Sequence, residues 1–273
     1  MSLSKPAQNA IFQQFPFRKR LEISQSIAEF RNLNRKLPFR FKFVTICDDA
    51  PSSQFELDGA FFWSIAEHPL GALLTFRSEH TQFEKILENY TKNQVLEGLV
   101  HFFLKREATE IDELRILNHP CGLETCFPLR IRRVFSWKSL IFSEKSDYST
   151  WFGALRFQRF PVEIVEIDVV NRSDLLIFTE ETIIRAPELS IRSHVDVPIQ
   201  GILKLEALKL RLKTQTLRGD DFLALCQEWS RKPTGSFFEL KMSTEELEDQ
   251  CLPSNLKVSR ILSEDVGVRV EVK

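Results

Sequence analysis

Eight residues, "HPCGLETC", concentrate the side chains best suited to chemistry. His119, Cys121 and Cys126 lie within one short stretch. A zinc site needs four ligands, usually as two close pairs. The other cysteines, Cys47, Cys226 and Cys251, have no neighbouring His or Cys. The stretch therefore reads as a loop with buried thiols, and no metal ligand is assigned. A catalytic Cys needs a base beside it, and a Ser triad needs His and a carboxylate. The five histidines (His68, His80, His101, His119, His194) lie in no G-x-S-x-G or H-E-x-x-H pattern. His101, within "LVHFFL", reads as a core or boundary residue. Adjacent acids occur at Asp48-Asp49, Glu180-Glu181, Asp220-Asp221 and Glu245-Glu246. Neighbouring carboxylates on a helix face different ways, so solvated faces and helix starts account for them. Only 9 glycines occur in 273 residues, too few for a phosphate-cradling loop or a dinucleotide fold. The residues name no catalytic group and no cofactor, and the expected protein is not an enzyme.

Charge gives a second lead. Residues 1–46 hold nine Lys/Arg and two Glu, a net +7, and the remainder holds 28 basic and 36 acidic residues, a net −8. A basic segment suits an anionic partner, either nucleic acid or an acidic protein. The bland alternative is that these side chains face water or dock on the acidic body. "FRFKF" (39–43) could present aromatic and basic side chains as a stacking platform. It equally makes a strand with Phe39, Phe41 and Phe43 inward and Arg40 and Lys42 outward, and nucleic acid is not the expected partner. Five scattered cysteines suit a reducing compartment. "MSLSKPAQNAIFQQFPFRKR" has no signal-peptide pattern, and no apolar run reaches the ~18–20 residues of a membrane span. A cytoplasmic or nuclear location is expected, with no membrane partner.

The elements that would carry these residues follow from periodicity. Residues 7–36 predict two or three helices, with Ile23, Ile27, Phe30 and Leu33 at helical spacing and Pro16 and Pro38 as breaks. Alternation predicts a strand at 38–46. Residues 55–78 carry no assignable pattern. Residues 80–105 predict the clearest helical region, through Phe83, Ile86, Leu87, Tyr90, Leu96, Leu99, Val100 and Phe103. Short strands are expected at 112–117, 129–137, 162–169, 187–192, 205–212 and 236–242, with a helix at 173–186 and a terminal hairpin at 258–273. Apolar-polar-apolar triplets recur at Leu114–Ile116, Leu189–Ile191 and Leu208–Leu210. Strands alternating with helices imply parallel pairing with crossovers. Their irregular spacing overlaps that of leucine-rich repeats, without an asparagine ladder. The expected fold is α/β: a short N-terminal helical segment, then an irregular leucine-rich-repeat-like stack of alternating strands and helices. The expected division is 1–46 and 47–273.

"DDFLALCQEWSRKPTGSFFELKM" (220–242) shows how fully such a unit is occupied by structure. Thr216 can cap a helix, and Asp220 and Asp221 suit its positive end. Phe222, Leu225, Cys226 and Trp229 share one face. Pro233 stops the helix, Gly235 permits a turn, and Phe237 and Phe238 begin a strand.

Three blocks carry a family likeness. The first 46 residues resemble the start of a nematode-expanded F-box-related family with an uncharacterised associated domain. Leu3-Ser4-Lys5-Pro6, Arg20-Leu21, Ile23 to Leu33 and Leu37-Pro38 match its opening, turn, second helix and exit. "LVHFFLKREATEIDELRIL" is similar to its helix, turn and strand, with Lys105-Arg106-Glu107 in place of Gly-Gly-Arg. Thr216, Trp229, Gly235 and Phe237 fit its Trp-ended helix and aromatic strand. The resemblance implies a non-enzymatic protein-binding subunit. Its F-box-like helices would dock a Skp1-type adaptor of a cullin-based ubiquitin ligase, and the F-box-associated-like repeat domain would recruit an unknown target. Ile11, Phe12, Phe15, Leu21, Ile23, Ile27 and Phe30 are then the candidates for adaptor contact. The same helices could instead cap the stack, which needs a polar-faced end unit.

Overall fold

In the computed structural model the described residues are 4–273, apart from 50, 107–108, 119–121, 124–125, 127–128, 138–161, 214–216, 218, 241–251 and 262–266. The chain divides between Ile131 and Arg132 into two compact units. The expected boundary at 46 falls inside a strand of the first.

The first unit opens with three helices, α1 (Lys5–Gln14), α2 (Phe17–Ser26) and α3 (Ala28–Lys36). Strands β1 (Arg40–Asp48), β2 (Ser52–Leu57), β3 (Phe61–His68), β4 (Gly71–Ser78) and β5 (Gln82–Glu88) follow, then α4 (Lys92–Leu104) and β6 (Glu110–Leu117). Strands β1 to β5 form an antiparallel meander, and β6 pairs parallel to β1 on its other side. This meander was not legible as a pattern. Its turns were nonetheless signalled: Asp58 and Gly59 both take positive φ (54° and 66°) between β2 and β3, the conformation an Asp-Gly hairpin adopts. Gly71 is irreplaceable for another reason, since an added Cβ there would lie 2.2 Å from the Leu87 carbonyl oxygen.

The expected helix over 80–105 is corrected. Only its second half is helical, and Gln82–Glu88 is a strand paired with β4. Phe83, Ile86 and Leu87 have a helix-like spacing, but pairing with β4 satisfies their backbone groups across the sheet. Asn89 turns the chain with φ 64°. Thr91 then starts α4 with a capping box, its hydroxyl accepting from Gln94 N–H while Gln94 accepts from Thr91 N–H. Strand β1 also departs from strict alternation. Phe39 and Phe41 are inward, but Phe43 is half-buried and Val44 and Ile46 complete the inner face. Arg40 and Lys42 are exposed, so the segment is a strand with its aromatics inward rather than an open stacking platform.

The second unit begins within β7 (Arg130–Trp137). It continues through β8 (Ile164–Val169), a 3-10 helix (Arg172–Thr179), α5 (Glu181–Ile184), β9 (Glu188–Ser193), α6 (Ile199–Ile202), β10 (Lys209–Lys213), α7 (Gly219–Trp229), β11 (Phe237–Leu240), β12 (Leu256–Ile261) and β13 (Gly267–Val272). Strands β7 to β11 pair parallel in chain order. The terminal β12–β13 hairpin is present as expected, and β13 joins β11 antiparallel. The helix expected at 173–186 is instead a 3-10 helix, capped by Asn171 and Asp174, followed by a single turn of α-helix.

A buried spacing, apolar-x-x-apolar-x-apolar, recurs in these strands. It holds Val162, Val165 and Ile167, then Ala186, Leu189 and Ile191, then Ala207, Leu210 and Leu212, all at most 2% exposed. Cross-strand register aligns Val134, Val165, Leu189, Leu210, Phe238 and Val270 into one row over six strands. Such strands lie about 4.8 Å apart, so each side chain in the row packs on the next. The triplet expected at Leu208–Leu210 is therefore shifted: Leu208 is exposed and Leu210–Leu212 faces in. The stretch around α7 has its expected inner face, with Phe222, Leu225, Cys226 and Trp229 fully buried. Thr216 lies outside the described residues. Trp229 meets Phe238 edge-on at 5.3 Å. Lys232 closes the helix end by donating to the Leu205 and Ala207 carbonyls at 3.0 and 2.9 Å.

The outward face of this sheet is charged. Glu188, Arg211, Glu239 and Arg269 alternate across four strands at 2.7–3.1 Å. The Arg269 guanidinium lies 3.8 Å from the Phe237 ring centroid.

The register makes a discriminating prediction. Leu210→Ala should lose about 2–5 kcal/mol of unfolding free energy, and Leu208→Ala should stay within about 0.5 kcal/mol of the parent. Urea unfolding of the two variants measures both.

Candidate partner-binding surface

The candidate residues sit on α1–α3, and local sequence explains the three breaks. Pro6 suits the first turn of α1. Pro16 forces an extended residue before α2. Ile27 is extended (φ −123°, ψ 111°) and serves as both the end of α2 and the start of α3. None of the three helices has a side-chain cap, and each is too short to be stable alone in water. Packing must hold them.

Two rings supply that packing. Phe12 is 1% exposed and stacks on Phe30 at 4.7 Å, joining α1 to α3. Phe17, at the start of α2, is 4% exposed and inserts among Phe39, Phe41, Phe61 and Phe103 at 4.8–6.0 Å. Polar contacts add to this. Arg20 donates to the Pro38 carbonyl at 2.9 Å, and Asn34 donates to Ser24 Oγ at 3.2 Å. Arg106, just past α4, donates to the Asn34 and Leu37 carbonyls and lies 3.7 Å from the Phe39 centroid.

The seven candidates thus divide. Phe12 is internal. Leu21, Ile23 and Phe30 are half-buried. Ile11, Phe15 and Ile27 are 45%, 36% and 46% exposed. Ile11 and Phe15 are four residues apart, on one side of α1 and its end. Phe17, which sequence reasoning left out of the set, is the residue that seats the segment. Its signal was available: it is the first helical residue after Pro16.

A second feature of the same unit is an aromatic groove of about 390 Å³. Trp63, Phe76, Phe83, Phe102 and Phe103 line it together with Asn34. Phe83 and Phe102 are 44% and 53% exposed. The Asn34 side-chain oxygen is buried there without a hydrogen-bond donor among the described residues. Strand β5, which carries Phe83, is an edge strand.

The residues considered for chemistry are dispersed. His68 Nδ1 accepts from Leu70 N–H in the β3–β4 turn. His101 lies 3.8 Å from Glu97, one helical turn away. Asp48 pairs with Lys92 at 3.1 Å and accepts from Ser53 at 2.6 Å. Cys126 is buried and donates to the Gly122 carbonyl. His119, Cys121, Glu245, Glu246 and Cys251 lie outside the described residues. Among the described residues no three His, Cys, Asp or Glu side chains gather as a metal site would require. Among them, too, no helix is long and apolar enough to cross a membrane. No family model, curated protein or solved structure matches the chain.

Two thiols are held far from nucleophilic use. Burial pushes Cys226 up to about 12. Burial, with the Asp49 and Asp48 charges, pushes Cys47 up to about 11. A folded-state pKa above the unfolded value, about 8.5, leaves stability unaffected below that pH. Stability then falls as pH rises toward the folded value. At pH 8, alkylation mapped by mass spectrometry should label Cys226 at least about 100-fold more slowly in the native protein than in denaturant. Raising the pH from 7.5 to 9.5 should lower the melting temperature.

Proposed function

We propose that the chain is a non-enzymatic protein-interaction module, the substrate-recognition subunit of a Skp1–cullin-type ubiquitin ligase acting in the cytoplasm or nucleus. The carrying observation is the split of the N-terminal helices. Phe12 and Phe17 are spent on holding the segment together and to its sheet, while Ile11, Phe15 and Ile27 remain outward. A segment serving only as an end cap has no use for three exposed large apolar side chains. A docking segment does, because apolar anchors dominate the energetics of protein contacts.

In this reading the sheet that follows is an irregular leucine-rich-repeat-like stack. The parallel chain-order strands and the repeated buried spacing of the second unit support that description. The mechanism is proximity: the helices grip the adaptor, another face holds the target, and no side chain of this chain touches a reacting bond.

Capture of a purified Skp1-type adaptor tests the reading. The parent chain should co-elute with it. Ile11→Glu and Ile27→Glu should each weaken capture by about tenfold or more, with melting temperatures changed by no more than a few degrees because both side chains are only partly buried. An adaptor that fails to bind the parent chain removes the ligase role.

A further inference from the structure

A cavity of about 580 Å³ lies between the start of α2 and β1 in the first unit. Its polar lining is Arg20, Arg40, Lys42, Asp58 and two glutamines of α1. Arg20 is the unusual member. It is 5% exposed, and a buried guanidinium ordinarily has a carboxylate beside it. Among the described residues Arg20 has none. Among them, too, its one hydrogen bond goes to the Pro38 carbonyl and its Nε–H has no acceptor, and the Phe39 ring lies 5.4 Å away. Burial lowers its affinity for its proton, and the Arg40 charge lowers it further. The cation is thus both desolvated and repelled, with no carboxylate among the described residues to offset the cost.

The surroundings reinforce the positive field. Arg40 and Lys42 project from β1 with their side chains in solvent. Pro16 and Phe17 also line the cavity, so the N-terminus of α2 opens on it. Pro16 offers no capping side chain, and the N–H groups of Phe17, Arg18 and Lys19 have no intrahelical partner. Asp58 is the single carboxylate in the lining, and its Oδ1 is turned to the backbone N–H groups of Lys42 and Phe43 at 2.7 and 3.1 Å. Glu110 neutralises part of Arg40 at 3.0 Å, but shares itself with Arg130.

We propose that this cavity binds a phosphate monoester, with the dianionic group held by Arg20, Arg40, Lys42 and the α2 N-terminus. Planar guanidinium forks and a helix N-terminus are the groups that recognise tetrahedral oxyanions. The volume exceeds what phosphate alone fills, and the apolar side chains of Phe15, Leu37 and Pro38 line the remainder. The monoester's organic part lies against them. The site touches the adaptor-docking candidates only at Phe15; Ile11 and Ile27 do not line it.

Calorimetric titration of the full chain at low salt tests this with three probes: inorganic phosphate, O-phosphotyrosine and adenosine 5′-monophosphate. At least one monoester should bind saturably and about tenfold or more tighter than inorganic phosphate, because its organic part adds contact. Tighter O-phosphotyrosine assigns the site to phosphorylated protein segments, and tighter adenosine monophosphate assigns it to small phosphate esters. Arg40→Gln and Lys42→Gln should each weaken binding about three- to tenfold by removing a charge-assisted contact, and Lys257→Gln, on β12, should leave it unchanged. Arg20→Gln should abolish binding. Should that variant fail to fold, the two exposed substitutions decide the matter. Absence of saturable monoester binding, or an Arg40→Gln/Lys42→Gln double variant that binds like the parent, overturns the proposal. Adaptor capture should be unaffected by Arg40→Gln and Lys42→Gln, so failure of either reading shows independently.

Discussion

The Phe17 ring, lodged among Phe39, Phe41, Phe61 and Phe103, is the contact on which the first unit depends. Three short helices without side-chain caps have little stability of their own. Burying one Phe in an aromatic socket contributes about 1.5–3 kcal/mol, and edge-to-face ring geometry adds about 0.5–1.5 kcal/mol per pair. That contact turns a loose helical arm into part of a sheet-backed body. It also settles which side chains are left over. With Phe17 and Phe12 committed inward, the helical turn fixes Ile11 and Phe15 on another side. The start of α2 is brought to the edge of β1, beside Arg40 and Lys42.

Two sheet logics meet in this chain, each with its own source of order. In the first unit the meander is ordered by hairpins, with neighbouring strands close in sequence. In the second, parallel neighbours are separated by crossovers, and order comes from the inner row of Val134, Val165, Leu189, Leu210, Phe238 and Val270. A slip of one residue would turn that row outward. The outer face is paired as well, because Glu188, Arg211, Glu239 and Arg269 alternate in sign across the same strands. Half-exposed pairs of this kind contribute little stability, but a two-residue slip of β13 on β11 would set Glu271 opposite Glu239, so they help to specify the register there.

Parts of this were readable from residue order. The inner face of α7, the breaks at Pro16 and Pro38, the terminal hairpin and most strands of the second unit followed from spacing, because those segments bury one face against a single neighbour. The segment 82–88 did not. Its apolar residues fit a helix as well as a strand, and only the hydrogen bonds offered by β4 separate the two. Asp58-Gly59 and the Thr91–Gln94 box were local signals that would have divided the region correctly. Leu208 and Leu210 share one alternation, but the strand starts only at Lys209 and Ala207 takes the buried place before it, which the leucine spacing does not record.

Residue order by itself determined the mixed α/β class and a start of two or three helices, because proline breaks and periodicity act over a few residues. Which candidates face water, where the chain divides, and the gathering of Arg20, Arg40 and Lys42 around one cavity were decided only by tertiary structure. Those outcomes depend on contacts between residues distant in the chain, where the burial of one side chain is set by the position of another. Local spacing carries no record of that.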